Sequence, residues 1–420
     1  MADHKKKKKK KRKNNIQILI REFDPIKDRT AVEDVERRCE VGSTKNKNFS
    51  LFTDLLGDPI CRVRHSPAFL MLVAEIAAHN EIVGMIRGCI KTVTCCSKST
   101  RNAGINASDL PQLAPVYTKL AYILGLRVSP DHRRLGIGLN LVRRMEEWFR
   151  EKKAEYSYIA TEIDNVASIK LFTHKCGYSK FRTPSILVNP VFAHRLRLSD
   201  QVTILQLELT VAETLYRCRF ATAEFFPRDI DAVLSNRLSL GTFLAVPRGS
   251  FTDGLWVESD RFLSCLPESW AVLSAWNCKD VYALEVRGVS VVKRAMAKLS
   301  RVIDRGLPWL RLPSVPEVFT PFGVLFLYGV GGEGPLAGKL MKALCHHAHN
   351  LAKERGCGVV ATEVSNDEPL KSDIPHWKKL SCPEDLWCIK RLGEGYTNNS
   401  LGDWTKSPPS FSIFVDPREF

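Results

Sequence analysis

A short apolar strand that runs into a basic, glycine-containing loop and then into a helix constrains this fold more than any other feature. Residues 119–128 are mostly aliphatic or aromatic, and Ser129-Pro130 stops the run, as expected of a buried strand. From residue 141 the apolar side chains recur at the spacing of one helix face, at Leu141, Val142, Met145, Trp148 and Phe149. The segment therefore predicts a strand, a loop and a helix in direct succession.

The loop between strand and helix carries the groups that bind an anion. Gly136 and Gly138 allow backbone N–H groups to approach a ligand closely, and the helix N-terminus adds a partial positive charge. Arg133 and Arg134 add full charges. Because glycine loops before helices also serve packing alone, the loop by itself leaves the anion site and the packing role open.

The segment that follows supports the anion site. Residues 156–163 predict a second strand, Asp164-Asn165 a helix cap, residues 167–175 the helix, and Gly177 its end. The chain resembles the GNAT acetyltransferase superfamily in two signature segments, Val128-x4-Arg133-x2-Gly136-x-Gly138 and Asn165-x2-Ser168-x2-Leu171-Phe172-x4-Gly177-Tyr178.

This resemblance implies a cofactor site and a direct reaction. In such enzymes loop amides bind the diphosphate of acetyl-CoA, the pantetheine arm lies between two splayed strands, and an amine attacks the thioester. The residues implied to hold the diphosphate are Arg133, Arg134, Leu135, Gly136, Ile137 and Gly138. The positions implied to contact pantetheine are the main chain of Leu126, Arg127 and Val128, with Asn165 and Phe172 flanking the thiol end.

The second half of the chain repeats the first in altered form. Residues 324–330 predict a buried strand, 331–338 a glycine loop and 339–355 a helix, and Ala361-Thr-Glu repeats Ala160-Thr-Glu. If Gly338 matches Gly138, then Glu333 replaces Arg133 and Leu336 replaces Gly136, so a phosphate should bind poorly. The sequence therefore predicts an α/β fold of tandem GNAT-like domains with mixed sheets, in which the second, degenerate copy serves structure or partner binding.

Charge and composition indicate how these copies are arranged in the chain. Lys5 to Lys13 supply nine of the positive charges behind a net charge of +16, so residues 1–14 are predicted to be a disordered basic tail. The N-terminal acetyltransferase domain is expected over residues 15–198 and the degenerate copy over 199–420, with residues 185–198 as the bridge. The tail favours nuclear import, with cytoplasmic residence and nonspecific binding of nucleic acid left open.

Other partners receive little support from the sequence. No apolar run approaches the roughly 20 residues of a membrane span, so no membrane partner is predicted. Thirteen cysteines at irregular spacing favour free thiols in a reducing compartment. Cys345 and His349 share a helix face, but a structural zinc needs four ligands, and no metal site is predicted.

The catalytic groups are the least defined part of the site. A lysine amine has a pKa of about 10.4, so acetyl transfer needs a proton acceptor. The strand before the loop offers Tyr122, Gly125 and Arg127, none of them acidic. Glu162 is the first candidate base, followed by Asp164 and Glu75, and each could equally be a capping or ion-paired group. Phe172 lacks the hydroxyl that many relatives use to stabilise the leaving thiolate.

A more specific resemblance covers most of the chain after the tail. Residues 33–42, 50–62, 89–93 and 183–190 are similar to the plant HOOKLESS-type branch of the superfamily. It implies an N-acetyltransferase that acts in differential growth, transferring acetyl from acetyl-CoA to a protein amine such as a histone lysine. The alternative is a noncatalytic regulatory or interaction protein on the same fold, and a third, resting on charge alone, is nucleic-acid binding.

Overall fold

The computed structural model describes residues 17–39, 50–96, 115–250, 262, 265–393, 403–410 and 412–420. The basic tail and most of the polar insertion after β4 lie outside these described residues. In the described part, two large sheets carry the fold, and their strands are numbered β1 to β15 in chain order. Among the described helices, none combines the length and apolar character of a membrane span.

The first sheet has seven strands. In spatial order they are β1 (Ile18–Glu22), β3 (Ala68–Ile76), β4 (Glu81–Cys96), β5 (Val116–Val128), β6 (Tyr156–Glu162), β15 (Asp385–Arg391) and β7 (Ser179–Arg182). Only β5 and β6 pair in parallel, and the other neighbours are antiparallel. The strand predicted over residues 119–128 is therefore the central part of β5.

The second sheet has six strands and the same single parallel pair. Its spatial order is β8 (Ser185–Pro190), β14 (Cys357–Val364), β13 (Gly323–Glu333), β11 (Trp270–Asn277), β10 (Ser239–Pro247) and β9 (Val202–Leu207). Strands β13 and β14 are parallel, as β5 and β6 are in the first sheet. A separate ribbon pairs β2 (Ser50–Asp54) with β12 (Ala283–Arg287). The mixed-sheet tandem fold is thus confirmed.

The two sheets exchange strands across the predicted boundary at residue 198. Strand β15, from the second half of the chain, lies between β6 and β7 of the first sheet. Strand β8, predicted as part of a bridge, pairs instead with β14 of the second sheet. The domain limits stay a prediction, but the sheets themselves do not divide at that residue.

Seven α-helices cover the sheets within the described ranges. They are α1 (Arg29–Arg38), α2 (Ile137–Glu151), α3 (Val166–Ile169), α4 (Leu209–Phe220), α5 (Ile230–Leu234), α6 (Val291–Gly306) and α7 (Ala337–Glu354). A π-helical segment, Lys170–Lys175, continues α3. In α2 the predicted apolar face is inward, and Leu141, Val142 and Phe149 are fully buried against the first sheet. Burial of each such side chain contributes about 1.5–3 kcal/mol.

The largest apolar core lies between the two sheets. It joins Tyr122 and Tyr158 of the first sheet with Phe326 of the second. The last described segment, residues 412–420, packs into the same core, where the Phe420 ring stacks on Phe326 with centroids 4.0 Å apart. Lys91 of β4 forms buried ion pairs with Asp416 and Glu419 of that segment. One face of the first sheet is thus covered by the second copy and by residues 412–420.

Candidate active site

Strands β5 and β6 separate where the sequence predicts a cofactor groove. Their parallel pairing runs from Leu120 opposite Tyr156 to Ile123 opposite Ile159 and then stops. Directly beyond, Gly125 takes a left-handed φ of +64°, and the register between β4 and β5 shifts. Such a bulge bends its strand. The bend accounts for the groove between the last part of β5 and β6.

A buried ion-pair network holds this bulge in place. The fully buried Arg87 of β4 donates through Nε to the Pro59 carbonyl at 2.6 Å and through Nη1 and Nη2 to Glu36 Oε2 at 3.3 Å. Arg127 of β5 donates through Nε to Glu36 Oε1 at 2.9 Å. Burial disfavours the Glu36 carboxylate, but the Arg127 and Arg87 charges outweigh it and lower the pKa of Glu36. A Cβ at Gly125 would lie 2.3 Å from Arg87 Nη1, so this network needs glycine there.

The start of helix α2 has the features of an anion site. Gly136 is the N-cap residue with φ +82°, and no described atom lies within 4 Å of the position that its Cβ would take. Because glycine has no side chain to cap the helix, the first N–H groups of α2 keep their capacity to bind a ligand. Arg134 is also left-handed, at φ +66°, and both Arg133 and Arg134 are exposed. Arg133 Nε donates to the Val128 carbonyl at 3.3 Å.

The predicted pantetheine-contacting residues line the same groove. Leu126, Arg127 and Val128 are half-buried beyond the bulge. A Cβ at Gly138 would make ordinary contacts of 3.6–3.9 Å with the side chains of Leu171, Val128 and Leu126, so Gly138 lies on the apolar wall of the groove. Ile137 is buried, and Leu135 packs partly against the helix-side core. The structure therefore brings the predicted loop and strand residues together at one site.

The two predicted residues at the thiol end differ in their surroundings. Asn165 caps α3, its Oδ1 accepting from the Ser168 N–H at 3.1 Å. Phe172 lies in the π-helical segment and is buried, with its ring edge-on to Tyr178 at 5.3 Å. The Tyr178 hydroxyl is hydrogen-bonded to Ser157 Oγ at 2.9 Å. Burial and the nearby Glu146 raise the pKa of Tyr178 well above its usual value, so it is a poor proton donor to a thiolate.

Three carboxyl groups gather on the face of the first sheet that is turned toward the second. Glu162, the first sequence candidate for the base, lies at the end of β6 directly opposite Asp385 of β15. Glu363 of the second sheet reaches the same place, and its Oε1 accepts from Trp387 Nε1 at 3.0 Å. Trp387 stands opposite Ala160, one position past the last β5–β6 pair. These acids therefore lie beside the groove entrance.

Burial raises the pKa values of two of these acids. It raises the pKa of Asp385 to about 6, with the Glu162 charge as the next cause. It also raises the pKa of Glu363 well above the usual range, with the Asp385 charge contributing. Sequence reasoning found Glu363 as the repeat of Glu162 but not as its neighbour, and it missed Asp385. Only the facing sheets and the inserted strand β15 bring the three together.

The other two candidate bases lie in different surroundings. Glu75 of β3 accepts from Arg21 Nε at 2.7 Å, and β4 separates its strand from β5. Asp164 is exposed in the turn before α3, where its carbonyl accepts from the Val166 N–H. His349, which shares a helix face with Cys345, is buried and accepts through Nε2 from the Phe192 N–H at 2.8 Å. Within the described residues, no group of three or more potential ligands could hold a metal ion.

The second copy keeps the groove geometry but not the anion site. Gly329 has φ +60° at a register shift in β13, as Gly125 has in β5. Helix α7 begins eight residues after Gly329, whereas α2 begins twelve after Gly125, so the loop is four residues shorter. Counted from the helix start, Glu333 takes the place of Arg133 and Leu336 that of Gly136, as predicted, but Glu333 is also the last residue of β13, paired with Trp270.

A carboxylate of the chain itself lies at the start of α7. A Cβ on Gly338 would be 2.3 Å from Asp373 Oδ2, so the Asp373 side chain covers the helix start. The Glu333 carboxylate is also ion-paired with Arg219 at 2.9 Å. The shortened loop and the covering carboxylate disfavour a diphosphate in the second copy.

Together, a splayed parallel strand pair, a β-bulge and an uncapped helix start define an acyl-coenzyme A-dependent transferase fold. Residues 30–178 match the family model described as "Acetyltransferase (GNAT) family". The chain belongs to the GNAT acetyltransferase family, as the sequence resemblance predicted, and by class it is an acetyl-CoA-dependent N-acetyltransferase.

Close relatives match nearly the whole chain. "Probable N-acetyltransferase HLS1" of Arabidopsis thaliana is 65% identical over 406 residues, which cover 96% of this chain and 100% of the relative. "Acetyl transferase GW6a" of Oryza sativa subsp. japonica is 40% identical over 443 residues, covering 96% and 98%. The predicted similarity to the HOOKLESS-type branch is confirmed by the first of these.

Two solved structures share the fold at low identity. A GCN5-related glucosamine N-acetyltransferase region of a fungal multi-domain enzyme has a TM-score of 0.52 and 14% identity, covering 89% of this chain and 38% of that chain. Saccharomyces cerevisiae N-myristoyltransferase with bound myristoyl-CoA has a TM-score of 0.52 and 10% identity, covering 89% and 79%. At these identities the likeness concerns the fold alone.

Proposed function

We propose that the first copy acetylates a protein amine, with histone lysine as the acceptor class, in a nuclear role in growth control. The observation that carries the proposal is the geometry of the groove. The strand pair opens at Ile123, and helix α2 begins with an uncapped turn beside two exposed arginines. A coenzyme with an anionic diphosphate and an extended arm fits both features.

The donor is proposed to lie with its diphosphate at the start of α2. The N–H groups of Ile137 and Gly138 and the charges of Arg133 and Arg134 would hold it. The main chain of residues 126–128 would pair with the pantetheine arm, because β6 is no longer within pairing reach there. The bulge network of Arg87, Glu36 and Arg127 then acts as the support that keeps the groove open.

The acceptor amine is proposed to approach from the face that carries the acids. Glu162 and Asp385 would attract a protonated amine, and the same pair would take its proton. A pKa near 6 suits this role, because such a carboxylate is largely ionised at pH 7 yet more basic than an exposed one. The supporting observation is the cross-strand pairing of these two residues beside the groove entrance.

A single assay tests the proposal. Purified full-length chain is incubated with radiolabelled acetyl-CoA and a histone mixture, and the acceptor sites are identified by mass spectrometry. Transfer should be lost when Arg133 and Arg134 are both replaced by glutamate. The matched control is Arg195→Glu with Arg197→Glu, a pair of exposed arginines outside the groove. Equal transfer by both double variants would refute the assigned donor site.

A noncatalytic regulator remains the second candidate, because specific observations favour it. The side chain at position 172 has no hydroxyl, and residues 412–420 with the second copy cover much of the acceptor face. This candidate predicts measurable acetyl-CoA binding in calorimetry with no transfer to any protein in the mixture. Transfer to a defined lysine excludes it.

Nuclear residence is proposed from the basic tail, which lies outside the described residues. Deleting residues 1–13 from a fluorescent fusion should move the protein from the nucleus to the cytoplasm, with DNA affinity at low salt falling as well. Salt-sensitive DNA binding that survives the deletion would assign nucleic-acid binding to the folded body instead.

A further inference from the structure

Helix α6 exposes the apolar face that an ordinary surface helix buries. Its large apolar side chains are exposed to solvent, and the apolar surface continues into the segment that follows. The exposed set comprises Val291, Val292, Met296, Leu299, Val302, Ile303, Leu307, Trp309, Leu310 and Leu312. Val292 is 69% and Val302 63% exposed, whereas a helix that packs on a sheet usually buries such residues. Contiguous exposed apolar surface of this extent marks an interaction site.

Polar bonds fix the helix in this orientation. On the inward side, buried Asp304 pairs through Oδ1 with His194 Nδ1 at 2.6 Å and accepts from the Ala193 N–H through Oδ2 at 2.7 Å. Arg301 donates through Nη1 to the Val191 carbonyl at 2.6 Å. Rotating the apolar face toward the protein body would break all of these bonds. The outward apolar face is therefore a fixed feature of the fold.

The outward face also has a defined spacing. Val292, Ala295, Leu299, Val302 and Gly306 follow one another at alternating steps of three and four, which is the seam that a second helix packs against. Two of these five residues are small, so a partner helix can approach closely. At 1.5 Å per residue the 16 residues of α6 offer a seam about 24 Å long.

The charges beside the seam are of one sign. Lys293, Lys298, Arg305 and Arg311 are exposed on or directly after α6, and the one acid within the helix, Asp304, is buried on the inward side. Glu317 lies 3.5 Å from Arg305 and offsets one of these charges. A second copy of this chain would bring like charges together across a two-fold contact. A partner with acidic flanks is complementary to them.

We propose that α6 and residues 307–312 form a docking site for an acidic amphipathic helix of another protein. Apolar side chains spaced three and four apart on that helix would pack along the seam, and Asp or Glu beside them would face Lys293, Lys298 and Arg311. The site is separate from the acetyl-donor groove, so its existence does not depend on the proposed reaction.

The proposal is tested by selecting peptide ligands from a library. A display library of random 16-residue peptides is selected on the immobilised full-length chain, and enriched peptides are titrated against variants by fluorescence anisotropy. The variants are Leu299→Asp and Val302→Asp, which place a charge in the seam. The control is Leu209→Asp, an exposed leucine on α4 with nearly the same exposure, 55% against 59%.

The expected result is a set of peptides with net negative charge and apolar residues at helical spacing. Their affinity should fall at least about tenfold with either seam variant and stay unchanged with Leu209→Asp. Thermal unfolding and acetyl-CoA binding should be the same in all three variants, because the substituted side chains point to solvent.

Four results of the peptide experiment would overturn the proposal, and two further results would assign the surface to a different occupant. The four are the absence of any enriched peptide, enriched peptides without an acidic bias, peptide affinity that is unchanged in the seam variants, and seam variants that do not fold. Binding of the chain to phosphatidylserine-containing vesicles that Leu299→Asp abolishes, without peptide binding, would assign the surface to lipid. Self-association in sedimentation that the same variant abolishes would assign it to a second copy.

Discussion

The charge at position 136 should control donor affinity while leaving the backbone geometry constant. Gly136 has φ +82° and open space around its Cβ position, so alanine, glutamate and lysine meet the same left-handed strain. That strain costs about 1–2 kcal/mol of stability for each of the three. Since the side chains differ mainly in charge, the series separates backbone strain from electrostatics.

The size of the electrostatic effect follows from Coulomb's law. A unit charge about 5 Å from one phosphate charge contributes about 0.8 kcal/mol in water and about 3 kcal/mol at an effective dielectric constant of 20. Gly136→Glu should therefore weaken acetyl-CoA binding between about fourfold and about two-hundredfold relative to Gly136→Ala. Gly136→Lys should bind at least as tightly as the alanine variant.

Isothermal titration calorimetry with acetyl-CoA measures the affinities, and thermal unfolding measures the strain. Repeating the titrations at high salt should narrow the gap between the glutamate and lysine variants, because salt screens exposed charges. Equal affinities across the three variants would refute an anion at the start of α2. An affinity loss that tracks stability instead of charge would assign Gly136 to packing.

Three further predictions concern the support network, the base and the tail. Glu36→Gln should lower the free energy of unfolding by about 3–5 kcal/mol, measured by urea denaturation, because Arg87 would stay buried without its counter-charge. Asp385→Asn should slow acetyl transfer about 10²–10⁴-fold and remove a rise in rate with pH through about 6, since the base acts unprotonated. Because folding raises the pKa of Asp385 to about 6, the native chain loses stability as the pH rises from about 4 through about 6. Asparagine does not ionise, so Asp385→Asn should unfold at a higher temperature than the native chain at pH 7. Deleting residues 1–13 should not change donor affinity in calorimetry.

Local chemistry explains what the sequence could predict. The strand over residues 119–128, the helix face at Leu141 and Phe149, and the glycine loop before the helix all depend on residues close together in the chain. The repeat of Ala-Thr-Glu also placed two strands in equivalent positions. These features follow from periodicity and from glycine's freedom at positive φ.

Long-range pairing explains what the sequence could not predict. Asp385 becomes a neighbour of Glu162 only because β15 enters the first sheet 223 residues later in the chain. The fixed offset between the copies did not reveal that the second loop is four residues shorter, because such a deletion leaves the flanking strand and helix intact. Neither a strand exchange nor a deletion alters local hydrophobic periodicity, so no short-range signal reports them.

The strand exchange also predicts that the first copy cannot fold alone. A chain ending at residue 198 would lack β15, which pairs with β6 on one side and β7 on the other. It would also expose the face of Tyr122 and Tyr158, which the second copy now covers. Loss of this interior strand leaves the facing edges of β6 and β7 unpaired and exposes a large apolar surface, and both effects favour aggregation.

Expression of residues 15–198 should accordingly give insoluble protein or one without a cooperative thermal transition. Co-expression with residues 199–420 should restore a soluble complex, because the missing strand and the covering sheet are supplied in trans. A monomeric, cooperatively folding fragment of residues 15–198 would contradict this expectation. The degenerate copy is then best understood as a structural part of the proposed active site, since it supplies β15 with Asp385 as well as Glu363.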